Sequence, residues 1–272
     1  MNISVIIPTY KPSFYLWECL DSLVAQSFPK TDFEVLLILN GCCEPYNSQI
    51  KNWISGHSDL QVQYIQTDQG GVSNARNIAL DNAKGEYVTF IDDDDFVSPL
   101  YLEELYIRAT PDTVSLCYPY AFKDGILDKQ LKYPLTDTYY YCLSHKCNKL
   151  SSRARKYFSG PCMKLIPMSF IQGRRYDVRF KNGEDSLFMF LISDKIDKVA
   201  FTSTKAIYYR RFRKDSAVTA HRSTNERIIN NVRSIREYVR MYLNGRYSTF
   251  FLLTRLIAEI RGILLAPINS RR

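Results

Sequence analysis

The chain has 272 residues, of which 46% are apolar and 24% are charged, and it contains no low-complexity tract. This composition is typical of a globular protein and unlike that of a disordered chain. No segment reaches the roughly 18 uncharged apolar residues that a membrane-spanning helix needs. The longest apolar stretch lies near the C-terminus and is interrupted by Arg255, Glu259 and Arg261.

The net charge of +8 is concentrated at the C-terminal end of the chain. From Ser203 onwards there are fifteen Lys or Arg and four Asp or Glu, a local net charge of +11. Such a basic end indicates an anionic partner, such as a phosphate-bearing ligand, a membrane surface or nucleic acid, or else a solvated helix face. The seven cysteines form an odd number and no secretory signal is seen, which favours a reduced, cytoplasmic setting.

Strand and helix patterns alternate through the first part of the chain. The apolar runs ISVIIP and FEVLLIL predict strands that are buried on both faces, and VQYIQ and YVTFI predict a third and a fourth strand. Helical patterns lie between them, and Ser73 is the predicted N-cap of the third helix. This alternation predicts an α/β fold with a doubly wound, mostly parallel sheet. Ligands of such sheets bind beyond the carboxyl ends of the strands.

The regular alternation ends near Pro99. Strand-like pieces mixed with one clear helix, DSLFMFLISD, predict a mixed α+β half at residues 99–223, packed on the same sheet. We therefore expect one domain over residues 1–223. Beyond it the pattern is helical and basic, and leucines and isoleucines recur at helical spacing. Residues 224–272 are predicted to form a basic C-terminal helical extension.

Four adjacent carboxylates, Asp92 to Asp95, follow the fourth predicted strand. An N-cap for a helix beginning near Ser98 would use only one of them. An acidic surface turn would not need a buried strand leading into it. The third interpretation is a site for Mg²⁺ or Mn²⁺. These cations take oxygen ligands and are often held by one or two carboxylates plus substrate phosphates. A bound cation would also relieve the repulsion within the acidic run.

Several motifs occur together and in a fixed order. They are Pro8-Thr9-Tyr10, the segment from Gly71 to Asn77, Asp92-x-Asp94, the GED segment at 183–185 and the Tyr/Arg-rich run IYYRRFRKDS. Over roughly residues 1–220 this arrangement closely resembles the family 2 glycosyltransferases of GT-A fold. The resemblance implies an inverting enzyme that uses Mn²⁺ or Mg²⁺ and moves a sugar from a nucleotide sugar to an acceptor hydroxyl.

The resemblance assigns the metal to the D-x-D residues. It implies that Asp94 is the direct ligand and that Asp92 faces the metal or the ribose. The role of Asp93 is ambiguous, because a run of four aspartates leaves the register open. The family's general base lies in the GED segment, which indicates Asp185, with Glu184 as the neighbour most easily confused with it. The alternative for this acidic pair is a helix N-cap with a favourable dipole interaction.

The resemblance implies a Rossmann-like nucleotide-sugar-binding half at residues 1–98, with the nucleotide at the strand ends, and an acceptor half at residues 99–223. The resemblance places the following residues near the nucleotide: Pro8, Thr9, Tyr10, Lys11, Asp68, Asp92 and Asp93. Arg76 is expected to meet the base or a phosphate, the alternative being a surface arginine on an amphipathic helix. The second strand ends in Asn40, where the family often has an acidic pair. An amide donates and accepts, so it can still read a pyrimidine edge, but the departure leaves the identity of the base open.

The segment YYRRFRKDS provides Arg210, Arg211, Arg213 and Lys214. The guanidinium fork of arginine suits diphosphate oxygens, so Arg210 and Arg213 are expected to bind the donor, together with Ser216. The alternative is a solvated basic strand.

The leading interpretation is a metal-dependent glycosyltransferase of the hexosyl- or N-acetylhexosaminyl type in bacterial surface polysaccharide synthesis. A UDP-sugar is the favoured donor, with dTDP- and GDP-sugars open. A glycan or a lipid-linked oligosaccharide is the expected acceptor. One alternative is a nucleotidyltransferase acting on sugar phosphates, which would normally carry a Gly-rich loop after the first strand. Another is a non-catalytic glycan-binding module, which would not need both the acidic run and the GED acid.

The basic C-terminal helices are expected to contact an anionic membrane surface, although they would equally suit a homodimer interface or core packing. Nucleic acid is not an expected partner. The expected location is cytoplasmic, peripheral on the inner face of the cell membrane.

Overall fold

The computed structural model describes residues 1–213 and 223–269, with side chains to residue 266. Lys214 and Ser216, two of the expected donor-binding residues, lie outside the described residues. The strands are β1 Ile3–Thr9, β2 Phe33–Asn40, β3 Val62–Thr67, β4 Tyr87–Phe90, β5 Phe96–Val97, β6 Thr113–Leu116, β7 Tyr118–Lys123, β8 Ile126–Gln130, β9 Lys164–Pro167, β10 Lys198–Phe201 and β11 Ile207–Phe212. The helices are α1 Phe14–Val24, α2 Tyr46–Ser55, α3 Val72–Asn82, α4 Tyr101–Arg108, α5 Pro134–Ser144, α6 Met168–Ile171, α7 Glu184–Leu191, α8 Thr224–Asn244 and α9 Thr249–Asn269, with a 3₁₀ turn at Ala154–Ser159.

The main sheet has seven strands in the order β10-β6-β9-β4-β1-β2-β3. β1 pairs in parallel with β2 and β4, and β2 pairs in parallel with β3. Every residue of β1, β2 and β4 is buried, as their continuous apolar sequences predict. The predicted α/β class with a mostly parallel sheet is therefore confirmed.

The second half of the chain inserts β9 into the same sheet. β9 runs antiparallel to both β4 and β6, and β6 pairs in parallel with β10. A smaller four-stranded sheet has the order β5-β11-β7-β8. In it β11 pairs with β5, the strand that directly follows the four aspartates. This pairing brings the Tyr/Arg-rich segment beside the acidic run.

The prediction that Ser73 caps α3 is wrong. The helix begins at Val72, and its N-cap is Gly71 at a φ of 126°, a conformation that favours glycine. The backbone N–H of Gly71 donates to the side chain of Asn40 at 2.8 Å. Ser73 is instead buried within the helix. The tertiary contact with Asn40, which is far away in sequence, fixes where this helix starts.

Helices α8 and α9 are joined by a short connection and pack against each other as a hairpin. α8 opens with a capping box in which Ser223 and Glu226 satisfy each other's backbone N–H groups. Within the described residues no helix combines the length and the apolar character needed to cross a membrane. The division of the chain into a domain at 1–223 and an extension stays a prediction.

Candidate active site

An open cleft of about 1080 Å³ lies at the carboxyl ends of β1, β2 and β4. The acidic run, the first turn of α7 and the end of β11 complete its wall. The cleft thus brings together segments that are up to 200 residues apart in the chain. Of the residues predicted for the site, the following line it: Pro8, Thr9, Tyr10, Asn40, Asp68, Asp92, Asp93, Asp94, Asp185, Arg210 and Arg213. Arg76 does not line it.

The floor of the cleft is cross-linked by hydrogen bonds. The side-chain amide of Asn40 donates to the carbonyl of Thr9 at 2.7 Å, and its oxygen accepts from the backbone N–H of Gly71. Asn40 is buried, and both ends of its amide hold neighbouring segments together. The expected reading of a pyrimidine edge would have to use its second amide hydrogen. Asn40 has a clear structural role at this strand end.

The nearby loops present exposed side chains to the cleft. Tyr10 is 54% exposed and follows directly on the buried end of β1. Asp68 is exposed and accepts a hydrogen bond from Gln66 at 2.8 Å. The loops after β2 and β3 approach closely at Gly41, where a Cβ would lie 2.8 Å from the Cα of Gly70. Tyr10 and Asp68 both line the cleft beside this close approach.

Asp95 has a structural part in the acidic run. It is buried, its carboxylate accepts from the backbone N–H of Arg211 at 2.7 Å, and its own N–H donates to the carbonyl of Asp92 at 3.0 Å. Burial, together with the neighbouring carboxylates of Asp94 and Asp92, raises the pKa of Asp95 well above its ordinary value. These bonds fix the turn against β11, which leaves the preceding three aspartates facing the cleft.

Asp93 and Asp94 have different partners. Asp93 accepts a hydrogen bond from the Thr9 hydroxyl at 2.5 Å, and burial raises its pKa to about 7. Asp94 forms an ion pair with Arg213, whose Nε and Nη2 donate to one carboxylate oxygen at 2.9 and 2.5 Å. Burial raises the pKa of Asp94, and the charge of Arg213 opposes that rise. Within residues 1–213 and 223–269, a cation pairs with Asp94 and none pairs with Asp93.

Arg211, next to the donor-binding candidates, is engaged elsewhere. Its guanidinium donates to the carbonyl of Asp94 at 2.9 Å, and to the carboxylates of Asp124 and Glu18 at 2.9 and 2.5 Å. It also lies over the ring of Tyr15 at 4.6 Å. These contacts anchor the acidic turn from behind, which is a structural use of an arginine in the basic segment.

A divalent cation fits the donor set of this turn. Among the residues that the structure describes, no three His, Cys, Asp or Glu side chains converge as a metal-binding group. At this turn the described residues include Asp92 and Asp94, which both line the cleft. Mg²⁺ and Mn²⁺ commonly accept one or two carboxylates and take their other ligands from water and substrate phosphates. The Arg213 guanidinium on Asp94 shows that this position attracts a cation.

Asp185 lies in the first turn of α7, which begins after Gly183 in a left-handed conformation with a φ of 79°. Burial raises the pKa of Asp185, and the positive charge of Arg76 opposes this rise. Burial and the charge of Asp185 also raise the pKa of Glu184. Both carboxylates line the cleft, and Asp185 is bonded to the buried guanidinium of Arg76.

Arg76 lies beneath the cleft, where it bridges two carboxylates. It is only 3% exposed, and its terminal nitrogens donate to Asp185 at 2.5 Å and to Asp92 at 3.2 Å. The guanidinium also lies 5.3 Å from the centre of the Tyr176 ring. In this position Arg76 meets the acids of the site, whereas the sequence led us to expect a contact with the nucleotide.

Two further residues near the cleft, Tyr133 and Lys164, were not predicted from the sequence. The Tyr133 hydroxyl accepts a hydrogen bond from Arg210 at 3.4 Å, in a segment without a motif. Lys164 is fully buried, donates to the carbonyls of Gly160 and Cys162 at 2.6 Å each, and has its pKa lowered to about 8 by burial. It fixes the loop that faces Asp185, and only the Gly-Pro pair before β9 hints at that loop.

Comparisons with known proteins find relatives of this chain in sequence and in fold. The sequence model of the family described as "Glycosyl transferase family 2" matches residues 4–170. The poly(ribitol-phosphate) beta-N-acetylglucosaminyltransferase TarS of Staphylococcus aureus is 39% identical over 104 residues, which cover 38% of this chain and 18% of that protein. A GalNAc(5)-diNAcBac-PP-undecaprenol beta-1,3-glucosyltransferase of Campylobacter jejuni is 26% identical over 227 residues, 82% of this chain and 69% of that protein. The chain therefore spans less than a fifth of the length of the staphylococcal relative.

Solved structures share the fold. The crystal structure of S. aureus TarS 1–349 in complex with UDP-GlcNAc matches with a TM-score of 0.72 and 24% identity, over 96% of this chain and 72% of that one. The mannosyltransferase PcManGT from Pyrobaculum calidifontis, in complex with GDP-Man and Mn²⁺, matches with a TM-score of 0.67 and 17% identity, over 98% and 73%. At these identities the matches establish the fold alone, and they confirm the predicted GT-A type.

Proposed function

Because the chain belongs to glycosyl transferase family 2, we propose that it transfers a sugar from a nucleotide sugar to an acceptor hydroxyl. The observation that carries this proposal is the placement of Asp185 and Asp94 in one cleft at the carboxyl ends of the parallel strands. One carboxylate would serve the acceptor and the other the leaving group. An α/β sheet of this type binds its ligands at this edge.

The proposed donor is a UDP-sugar. TarS was crystallised with UDP-GlcNAc, and PcManGT with GDP-Man and Mn²⁺. In this chain Tyr10 and Asp68 would bind the nucleoside, and Asp92 and Asp94 would hold Mn²⁺ or Mg²⁺. When bound, the cation would neutralise the charge that develops on the leaving diphosphate. Arg210 and Arg213, at the same end of the cleft, would bind diphosphate oxygens.

Asp185 is the proposed general base. Its carboxylate would accept the proton of the acceptor hydroxyl as that oxygen attacks the anomeric carbon. The bond between the anomeric carbon and the diphosphate oxygen breaks in the same displacement, so the configuration inverts. Arg76 supports this role because its charge favours the ionised form of Asp185. The loop held by Lys164 would form the facing wall.

The proposed acceptor is a glycan or a lipid-linked oligosaccharide. The printed names of the relatives include a poly(ribitol-phosphate) transferase and a transferase acting on an undecaprenol-linked glycan. Synthesis of a bacterial surface polysaccharide is therefore the proposed setting, with the protein at the inner face of the cell membrane. The donor would be hexosyl or N-acetylhexosaminyl in type.

The first test is thermal unfolding with UDP, dTDP and GDP, each with Mn²⁺ and with chelator. A ligand that binds only the folded state raises the unfolding temperature. We expect a rise with UDP that requires the metal and is lost in Asp94→Asn. The matched control is Asp124→Asn, which removes a carboxylate bonded to Arg211 behind the turn. A nucleotide-dependent rise that survives both the chelator and Asp94→Asn would refute the metal assignment.

If no nucleotide raises the unfolding temperature, the donor proposal is refuted and a glycan-binding module becomes the better interpretation. A nucleotidyltransferase would release pyrophosphate from a nucleoside triphosphate and a sugar phosphate. The proposed enzyme would release UDP from the sugar donor. Product analysis therefore separates these two activities directly.

A further inference from the structure

Helix α9 directs an apolar stripe away from the protein. Leu253, Ile257, Ile260 and Leu264 follow one another at spacings of four, three and four residues, and they are 50% to 69% exposed. In a globular protein such a stripe normally packs on the core. Here the residues turned inward include Arg255, which is 6% exposed. The inward side also carries Phe251 and Leu252, so apolar residues lie on both sides of this helix.

Helix α8 carries a second stripe of the same kind. Ile229, Val232, Val239 and Leu243 are 37% to 77% exposed, and Arg236 occupies the position between the two pairs. We call these four residues and the four of α9 the α8–α9 stripes. Eight exposed, branched apolar side chains on two adjacent helices are more than a scatter of single surface residues. Such a concentration of apolar surface indicates an interaction site.

The hairpin cannot turn the α9 stripe inward, because contacts on the opposite side hold the helix. Phe251 is fully buried, and its ring meets that of Phe158 edge to face at 5.9 Å. The Arg255 guanidinium donates to the Ser159 hydroxyl at 2.7 Å. Gly262 lies against Asn231 of α8, so closely that a Cβ would be 2.6 Å from its amide nitrogen. Rotation of α9 would break all three contacts and expose Phe251.

The charged residues of α8 and α9 favour an anionic partner on this surface. Residues 223–269 contain seven arginines and three glutamates. Of the glutamates, Glu237 is paired with Arg240 and Glu259 is half-buried. Five of the arginines are exposed: Arg233, Arg236, Arg240, Arg246 and Arg261. Of these, Arg240 pairs with Glu237 and Arg233 donates to the carbonyl of Arg179. A second copy of the chain on this surface would bring like charges together, whereas anionic lipid headgroups would complement them.

We propose that the α8–α9 stripes are the surface on which this protein lies against an anionic lipid membrane. The leucine and isoleucine side chains would enter the boundary between headgroups and acyl chains, and the arginines would meet the headgroup charges. The helices would lie along the membrane, since none of those described suits a crossing. The purpose of this contact rests on the proposed function, because it would hold the cleft near a lipid-linked acceptor.

The test is sedimentation of the whole protein with vesicles, without donor or acceptor. Vesicles of phosphatidylcholine alone are compared with vesicles that also contain phosphatidylglycerol. We expect binding that requires phosphatidylglycerol and weakens with salt. The double variant Ile257→Glu with Leu264→Glu should lower the bound-to-free ratio on the order of tenfold or more, since it places charge in the stripe.

The matched control is Asn52→Glu with Gln61→Glu, which makes the same change in net charge at exposed positions outside α8 and α9. It should keep most of the binding. Both variants should retain the thermal unfolding of the parent and its response to UDP, so a loss of vesicle binding is separable from a failure of the proposed transferase function. Equal binding by the two variants, or no binding by the parent, would overturn the proposal. A concentration-dependent dimer that Ile257→Glu with Leu264→Glu dissociates would overturn it too, in favour of a second copy.

Discussion

Arg76 and Asp185 join helix α3 to the first turn of α7 beneath the cleft. The guanidinium of Arg76 is 3% exposed, and it donates to the Asp185 carboxylate at 2.5 Å while its other terminal nitrogen lies 3.2 Å from Asp92. A single buried cation therefore connects the proposed base to the acidic turn that follows β4. Its position fixes both carboxylates relative to each other and biases the ionisation of the base.

Asp185→Asn should abolish sugar transfer and leave donor binding intact. Asparagine keeps the shape of the side chain but cannot accept the proton, so kcat should fall by about 10³-fold. The measurement is turnover alongside the UDP-dependent rise in unfolding temperature. Glu184→Gln is the matched control, and it should retain most activity. Loss of UDP binding together with turnover in Asp185→Asn would show that this carboxylate supports the structure of the cleft.

Arg76→Met should move the acidic limb of the kcat/KM profile to higher pH. The charge of Arg76 opposes the rise in the pKa of Asp185 that burial causes, so its removal raises that pKa further. The base works when ionised, and ionisation then requires a higher pH. Breaking the buried ion pair should also lower the free energy of unfolding by about 3 kcal/mol. Arg76→Lys keeps the charge and should shift the limb less; an unshifted limb in Arg76→Met would contradict the coupling.

Arg213→Gln should tighten binding of Mn²⁺ alone and weaken binding of UDP. Arg213 binds one oxygen of the Asp94 carboxylate, and its positive charge opposes the binding of a metal there. The same guanidinium would bind the diphosphate, which the variant can no longer do. Calorimetric titration with Mn²⁺ and with UDP measures the two effects separately. Lys156→Gln removes another cleft-lining cation and should leave Mn²⁺ binding unchanged. Unchanged Mn²⁺ affinity in Arg213→Gln would refute the competition.

The first half of the fold was predictable because strands that are buried on both faces have continuous apolar sequences. β1 and β2 are buried at every position, and their runs of Ile, Val and Leu indicate this burial. The second half was not, because β9 takes its place by pairing with β4 and β6, far from it in the chain. Neither the periodicity nor the composition of KLIP encodes such neighbours. The glycine cap of α3 escaped prediction for the same reason.

The motifs predicted residues that line one cleft, but they did not predict the partner of each side chain. The order of the acidic segments pointed to one cleft, and the structure brings Asp94 and Asp185 into it. Asp95 accepts from the backbone of Arg211, a contact between distant segments. Arg76 lies beneath the cleft and donates to Asp185, again between distant segments. Local sequence carries residue type and spacing. It does not determine which of the four adjacent aspartates will bind a distant strand.

Arg155→Met should stabilise the protein. Arg155 and Arg255 are both buried, and Nε and Nη1 of Arg155 and Nε of Arg255 have no hydrogen-bond partner among the described residues. Burial and the charge of Arg255 lower the pKa of Arg155 to about 10. A basic group with a lowered pKa in the folded state opposes folding while it is charged, so at neutral pH its removal should raise the free energy of unfolding by about 1 to 3 kcal/mol.

Denaturant unfolding of Arg155→Met in an anion-poor buffer measures this effect. Arg153→Met is the control, because Arg153 is exposed and stacks on Tyr141 at 3.9 Å, where it opposes no burial. It should bring no gain. A loss of stability in Arg155→Met would contradict the prediction, since two buried like charges can only favour the folded state if something anionic compensates them. Repeating the unfolding with added phosphate then identifies that compensation, because an anion bound by the pair would stabilise the parent chain and not the variant.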